Sequence, residues 1–192
     1  MKKLKTTWVL LAPGALLFAA LLVAQDKDPN LADQSTVPPL TGGQGAGFCS
    51  QPNLPIPDNT TVMDTQNVPG SFNLVDVNVS VTLNHTWIGD LVIVVEHDGA
   101  SSTLFDNECG NFDNMDILLD DESVTPVGSN CVSPYTGDFI PVTPLSVFDG
   151  LNGGGDWTLS VTDEATLDTG TLLEWCLITD PIAVDLQEFS ID

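Results

Sequence analysis

The chain has 192 residues, with 27 acidic and only four basic side chains, and its net charge is −23 at pH 7. A surface this acidic repels phosphate backbones, which excludes nucleic acid as a partner. It should instead attract cations, and calcium is the natural counter-ion because it prefers carboxylate and carbonyl oxygens. The alternative is an acidic surface that only keeps the protein soluble.

The N-terminus is typical of a secretory signal peptide. Three lysines precede an apolar run from Trp8 to Ala24, and polar sequence follows. We predict that residues 1–24 are the signal, with cleavage after Ala24. The alternative is an uncleaved anchor, but the run is short for a membrane span and is interrupted by Pro13 and Gly14.

Signal removal would leave Lys27 as the single basic residue against 27 acidic ones, a net charge of 1 − 27 = −26. The expected protein is therefore secreted, periplasmic or held at the cell surface, and it does not span a membrane after cleavage.

Residues 25–47 are predicted to form a flexible linker, because they are rich in proline, glycine and small polar residues without an apolar period. The domain is expected from Phe48 to Asp180, which is long enough for one hydrophobic core. Residues 181–192 form a C-terminal tail, which either adds an edge strand or begins a further segment.

Period-two alternation predicts strands throughout this domain. In residues 72–83 the apolar side chains share one face and polar side chains the other; these apolar residues are Val75, Val77, Val79, Val81 and Leu83. The stretches "DLVIVVEH", "STLFD", "MDILLDDES", "WTLSVTD" and "TLLEWCLIT" follow, separated by turns rich in Gly, Asp and Asn. Short strands with such turns predict an all-β fold, an antiparallel β-sandwich of about eight strands.

Four cysteines lie in the predicted mature chain, which indicates two disulfides with three alternative pairings. The favoured pairing joins Cys109 to Cys131, closing a loop rich in Asp, Asn and Gly, and so leaves Cys49 for Cys176. No CxxC motif is present, which disfavours zinc.

Nucleophilic catalysis requires a Ser or Cys beside a base, and His85 with Asp90 five residues later resembles part of such an apparatus. However, the chain contains no GxSxG elbow, and its cysteines are assigned to disulfides. We therefore predict no catalytic residues, with His85 as a structural hydrogen-bonding side chain.

Two groups of carboxylates are candidate calcium ligands. The first is Asp90 with Asp163 and Asp168, which the strand pattern places at strand junctions. The alternative group is Asp113, Asp116 and Asp121, in a segment that lacks the spacing of an EF-hand. For both groups the competing interpretation is turn chemistry, in which Asp side chains cap the nearby backbone.

Exposed aromatic rings would favour a carbohydrate-binding module. Trp157 and Trp175 fall in apolar strands and are expected in the core, whereas Trp87 falls in a turn and is expected to be exposed. One ring is a weak platform, because sugar binding usually uses several coplanar rings.

Two blocks of sequence resemble the P domain of proprotein convertases, also called the Homo B domain. In "VSVTLNHTWIGDLVIVVEHDG" a strand ends in His-Thr and Gly-Asp-Leu opens the next, as in that family; the matching positions are His85, Thr86, Gly89 and Asp90. The stretch "PLSVFDGLNGGGDWTLSVTDEATLDTGTLLEWCLI" is similar to its closing portion, through Pro144, Leu145, Ser146, Phe148, Gly150, Asp156, Trp157, Leu159, Asp163, Asp168, Thr169, Gly170, Leu172 and Trp175. The resemblance covers Phe48 to Asp180.

The resemblance implies a jelly-roll β-sandwich of the kind that usually follows a subtilisin-like serine protease domain and stabilises it, with effects on calcium and pH dependence. This chain departs from the family in two respects. Only the predicted signal and linker precede Phe48, and Trp87-Ile88 stands where convertases carry basic residues.

The expectation is therefore a secreted, non-catalytic, calcium-stabilised binding or stabilising module, whose partner is a subtilisin-like protease or another extracellular protein. The first alternative is an accessory subunit or separated C-terminal part of such a protease, and the second is a carbohydrate-binding module.

Overall fold

The computed structural model describes residues 46–179, in which ten strands and two 3₁₀ turns alternate. The predicted signal peptide, nearly all of the predicted linker and the C-terminal tail lie outside the described residues. The strands are β1 (Ala46–Ser50), β2 (Leu54–Ile56), β3 (Thr61–Val68), β4 (Val77–His85), β5 (Leu91–His97), β6 (Ala100–Asp106), β7 (Met115–Leu119), β8 (Tyr135–Phe139), β9 (Gly155–Asp163) and β10 (Gly170–Thr179), and the 3₁₀ turns are Ile88–Asp90 and Leu145–Phe148. Within this range no helix is long and apolar enough to cross a membrane.

The strands form two sheets that pack face to face. One sheet has the order β1-β10-β4-β7-β8, with β2 also pairing with β10, and the other has the order β3-β9-β5-β6. All the ladders are antiparallel except the β7–β8 ladder, which is parallel. The all-β prediction is confirmed, with ten strands instead of about eight and one parallel pair.

The core lies between the two sheets and is filled by alternate residues of the long strands. Along β4 the inward positions from Val77 to His85 are all buried, while the residues between them are at least partly exposed. Trp157 and Trp175 are fully buried, as predicted. Burial of apolar side chains from both faces is the main stabilising contribution of such a sandwich.

The predicted inward position of Val75 is wrong, since this side chain is 55% exposed. The strand begins two residues later, at Val77, because the backbone of Leu74 is bonded elsewhere. The Leu74 N–H donates to the Leu151 carbonyl and the Leu74 carbonyl accepts from the Gly150 N–H, each at 2.9 Å. Leu74 is therefore the buried residue, and Val75 turns outward.

Both predicted disulfides are confirmed. Cys49 and Cys176 lie opposite each other on β1 and β10, so that this bridge ties the first described strand to the last. Cys109 and Cys131, 22 residues apart, close the loop region that surrounds β7. Residues 46–179 contain no free cysteine.

Candidate functional site

The turn from His85 to Asp90 joins the two sheets, because β4 ends at His85 in one sheet and β5 begins at Leu91 in the other. The His85 side chain is inaccessible to solvent, and its Nε2 lies 3.3 Å from Oδ2 of Asp163, which is also inaccessible. On the other side of the ring, Nδ1 lies 2.9 Å from the Trp87 carbonyl oxygen and 3.2 Å from the Trp87 amide nitrogen. His85 therefore links the turn to the last residue of β9.

This His–Asp pair lacks the third member of a catalytic triad. Within residues 46–179 the ring of His85 contacts hydrogen-bonding groups of Asp163 and Trp87, and no Ser, Thr or Cys side chain bonds to it. The remaining oxygen of Asp163, Oδ1, accepts from the Ala165 N–H at 3.0 Å and so fixes the loop after β9. A triad would require a nucleophile bonded to the second ring nitrogen, which here contacts the Trp87 backbone, so the pair instead links the turn to the loop after β9.

Gly89 allows the same turn to pack closely on the loop that carries Cys109. The Ile88 N–H donates to the Phe112 carbonyl at 2.8 Å, and the Gly89 N–H donates to the Gly110 carbonyl at 2.9 Å. A Cβ at Gly89 would lie 2.6 Å from the Cα and carbonyl oxygen of Gly110, closer than real Cβ contacts allow. The Cys109–Cys131 bridge anchors the loop on which the turn rests.

Gly170, another glycine of the P-domain resemblance, is required by the close approach of β10 to the end of β4. It pairs with His85 in the β4–β10 ladder. A Cβ at this position would overlap the Asn84 carbonyl oxygen and lie 2.6 Å from Cδ2 of His85. Any side chain at residue 170 would therefore displace the imidazole from Asp163.

Carboxylates gather around this turn, and we call Asp58, Asp90, Asp163 and Asp168 the acidic cluster. Leu91 pairs with Asp163 in the β5–β9 ladder, which brings Asp90 beside the end of β9. The Glu164 N–H donates to the Asp90 carbonyl at 2.9 Å. The predicted proximity of Asp90 to the loop after β9 is thus a feature of the fold.

Two hydrogen bonds connect members of the acidic cluster to neighbouring segments. The Thr86 hydroxyl donates to Oδ1 of Asp168 at 2.7 Å, and the Leu167 N–H donates to Oδ1 of Asp58 at 3.0 Å. Asp58 had not been identified from the sequence, because it lies in a proline-flanked turn far from the other members and shares no local pattern with them.

The electrostatics of the acidic cluster are repulsive. Burial raises the pKa of the Asp90 carboxyl above its ordinary value of 3.8, and the charges of Asp163, Asp168 and Asp58 raise it further, while His85 acts in the opposite direction. The Asp90 carboxylate has no hydrogen-bond donor within residues 46–179. A cation placed here would relieve this repulsion.

The donor set suits a hard cation, but its oxygens are not drawn together. Among the described residues, three candidate ligand atoms lie within 4.8 Å of one another at Cys49, Glu174 and Cys176, and not in the acidic cluster. Both sulfurs of that group are joined in a disulfide, which removes the thiolates that a metal would need. A cation in the acidic cluster would therefore need carbonyl or water oxygens besides the carboxylates.

The alternative calcium ligands Asp113, Asp116 and Asp121 do not bring three ligand oxygens within 4.8 Å of one another. The Asp116 side chain accepts from the Thr82 hydroxyl at 3.1 Å on the outer face of β7. Beyond the other end of β7, the two oxygens of Asp121 accept from the backbone N–H groups of Leu145 and Ser146 at 2.8 and 2.9 Å. Asp116 lies within β7 and Asp121 lies two residues beyond its end, and the two side chains bond to different segments of the fold.

The aromatic side chains do not form a sugar-binding platform in the described part of the chain. Trp87 is 42% exposed, as predicted, but Tyr135, Trp157 and Trp175 are fully buried.

Comparison with known proteins decides the family. The sequence model of the proprotein convertase P-domain matches residues 74–179, which is more than half of the chain. This chain belongs to the proprotein convertase P-domain family. The matched range includes both the His85–Asp90 turn and the loop of Asp163 and Asp168.

The individual relatives are proteases much longer than this chain. The calcium-dependent protease of Nostoc sp. is 28% identical over 125 residues, which is 65% of this chain but 17% of the relative. Two structures of an Aeromonas sobria serine protease, one in complex with its chaperone, are 20% and 19% identical with a TM-score of 0.45. They cover 74% and 77% of this chain and 27% and 28% of the protease chains.

Proposed function

We propose that this chain is a non-catalytic P-domain module that acts outside the cytoplasm by binding and stabilising a subtilisin-like serine protease. The observation that carries the proposal is the buried His85–Asp163 pair within a P-domain fold. In this pair, the residue types of a hydrolase apparatus are used to fasten the His85–Asp90 turn to the loop after β9. The domain supplies a rigid, disulfide-bonded surface, while the chemistry belongs to the partner.

The test uses a subtilisin-like protease from the same organism, mixed with the purified chain in equal amounts. The expected result is a stoichiometric complex on size-exclusion chromatography and a longer half-life of proteolytic activity at elevated temperature. The control is an unrelated protein of similar size and net charge. If the protease elutes alone and its inactivation rate is unchanged, the proposed role is contradicted.

Calcium binding at the acidic cluster is a second part of the proposal. Asp90 and Asp168 are the ligands favoured here, because among residues 46–179 no group donates to the Asp90 carboxylate or to Oδ2 of Asp168. Asp163 contributes charge, but both of its oxygens already accept hydrogen bonds. When bound, the ion would supply the positive charge that residues 46–179 lack, since they contain no Lys or Arg.

The calcium proposal is tested by thermal melts of the full chain in matched calcium and magnesium. A single specific site stabilises by about 2.7 kcal/mol when the ion is about a hundredfold above its Kd. We expect calcium to raise Tm more than magnesium, and Asp90→Asn to abolish the difference. Asp138→Asn, which removes an exposed carboxylate from β8, is the matched control and should keep it. If calcium and magnesium raise Tm equally, screening of the negative charges explains the stabilisation and the proposed specific site is contradicted.

A further inference from the structure

The eight-residue strand β3 lies at the edge of its sheet and pairs with β9 alone. In an antiparallel ladder, every second residue of an edge strand turns its N–H and C=O away from the neighbouring strand. Within residues 46–179, no other backbone hydrogen bond involves residues 61–68. This edge therefore presents a row of unpaired backbone groups.

The other edges of the sandwich are partly covered, shorter or interrupted. Outside β6, the Thr143 N–H donates to the Thr103 carbonyl at 2.9 Å. The edge strand β8 is only five residues long, and residues 125 and 127 bond to Ile140 directly after its end. The edge made by β1 and β2 is short and is broken by Pro52 and Pro55. By contrast, β3 has no proline, no lysine and no bulge, which are the usual devices that protect an edge strand.

The charges along β3 indicate which kind of strand would bind at this edge. The outward side chains are uncharged, namely Thr61, Met63, Thr65 and Asn67. The single charge, Asp64, is partly buried and accepts from the Trp175 indole N–H at 2.7 Å. A second copy of this chain would bring its own Asp64 against the first, together with its large negative charge, whereas a strand carrying Lys or Arg would complement it.

We propose that the free edge of β3 binds an extended, Lys- or Arg-bearing segment of a partner protein as an additional β-strand. The backbone of that segment pairs with the outward N–H and C=O groups of β3, and its basic side chain lies near Asp64. This is recognition by β-augmentation, in which main-chain bonds give affinity and side chains give selectivity. The proposal uses neither the acidic cluster nor calcium, so it stands or falls separately from them.

The test uses the full chain, labelled with ¹⁵N, and three synthetic peptides of alternating Thr and Val. The first carries two Lys residues, the second carries Glu at the same positions, and the third is the Lys peptide with a central Pro. We expect the Lys peptide to shift the amide signals of residues 61–68 and slow their hydrogen exchange. The Glu peptide should bind roughly tenfold more weakly, and the Pro peptide should not bind.

The variant Asp64→Asn separates edge pairing from general attraction of a basic peptide to an acidic protein. An Asn carbonyl oxygen can accept the same hydrogen bond from Trp175, so we expect the variant to fold. Asp98→Asn in the β5–β6 turn is the control of equal charge. Asp64→Asn should reduce the difference in binding affinity between the Lys peptide and the Glu peptide, and Asp98→Asn should leave that difference unchanged. Shifts that map outside β3, or unchanged β3 amides, would overturn the proposal. Slow β3 exchange that depends on protein concentration would do so too, because it would identify a second copy as the occupant.

Discussion

Replacing Gly89 by Ala tests whether the His85–Asp90 turn depends on close packing against the disulfide-bonded loop. The added Cβ would lie 2.6 Å from the Cα and carbonyl oxygen of Gly110, and both contacts are backbone atoms that cannot rotate away. Overpacking of this kind costs about 1–3 kcal/mol. Separation of the turn from the loop would also weaken the bonds from Ile88 to Phe112 and from Gly89 to Gly110, at about 1 kcal/mol each.

The expected loss of stability for Gly89→Ala is therefore about 3–5 kcal/mol, or about 10–15 °C in Tm for a domain of this size. The assay is chemical denaturation followed by tryptophan fluorescence, with the Tm measured in parallel. Gly47→Ala is the matched control, because a Cβ there meets no atom within 4 Å and requires no unusual backbone angle. If the two substitutions cost the same, or if Gly89→Ala costs less than about 1 kcal/mol, close packing at this glycine does not hold the turn.

Two further results are expected. Burial and neighbouring carboxylates raise the pKa of Asp90, so the folded state binds the Asp90 proton more tightly than the unfolded state does. Protonation of Asp90 therefore stabilises the fold at low pH, and this stabilisation is lost as pH rises through the folded-state pKa. Melting between pH 7 and 4 should thus show a stabilising contribution on acidification that Asp90→Asn removes; an unchanged pH profile would contradict the repulsion. Replacing Cys109 and Cys131 together by Ser should cost about 3 kcal/mol, as a loop of this length predicts, and should speed hydrogen exchange at Ile88 and Gly89; unchanged exchange would show that the bridge does not support the turn.

The strands that the sequence predicted are those whose inner face is apolar. Along β4, β5 and β9, alternate residues are buried and apolar up to the buried His or Asp that ends each strand, which is the pattern that period-two analysis detects. In β10 the alternation is broken, because three consecutive residues from Trp175 to Leu177 are buried. The sequence grouped Asp90 with Asp163 and Asp168 because all three fall at strand junctions. The β5–β9 ladder that brings Asp90 beside the end of β9 is not contained in the local pattern.

The strands that sequence analysis missed carry a weaker signal. In β3 the inward positions include Asp64 and Gln66, which an apolar pattern cannot detect, and the partner of Asp64 is a tryptophan 111 residues away. In β8 only Tyr135 and Phe139 are buried, with exposed Thr, Gly and Asp between them. Both strands are formed by pairing with a distant strand, which a local pattern does not contain.

The outward orientation of Val75, which the sequence predicted to point inward, has a similar cause. An alternating pattern predicts which residues share a face, but it does not show where the strand begins. The bonds of Leu74 to residues 150 and 151 are made across the fold and set that beginning.

Incubation of the purified full chain with casein and fluorogenic peptides, in millimolar calcium and with and without a serine-protease inhibitor, tests the central claim most directly. Because His85 and Asp163 are used to fasten two loops, we predict no hydrolysis above the buffer rate under any of these conditions. Inhibitor-sensitive hydrolysis that co-elutes with the chain and is lost in His85→Ala would contradict a non-catalytic role.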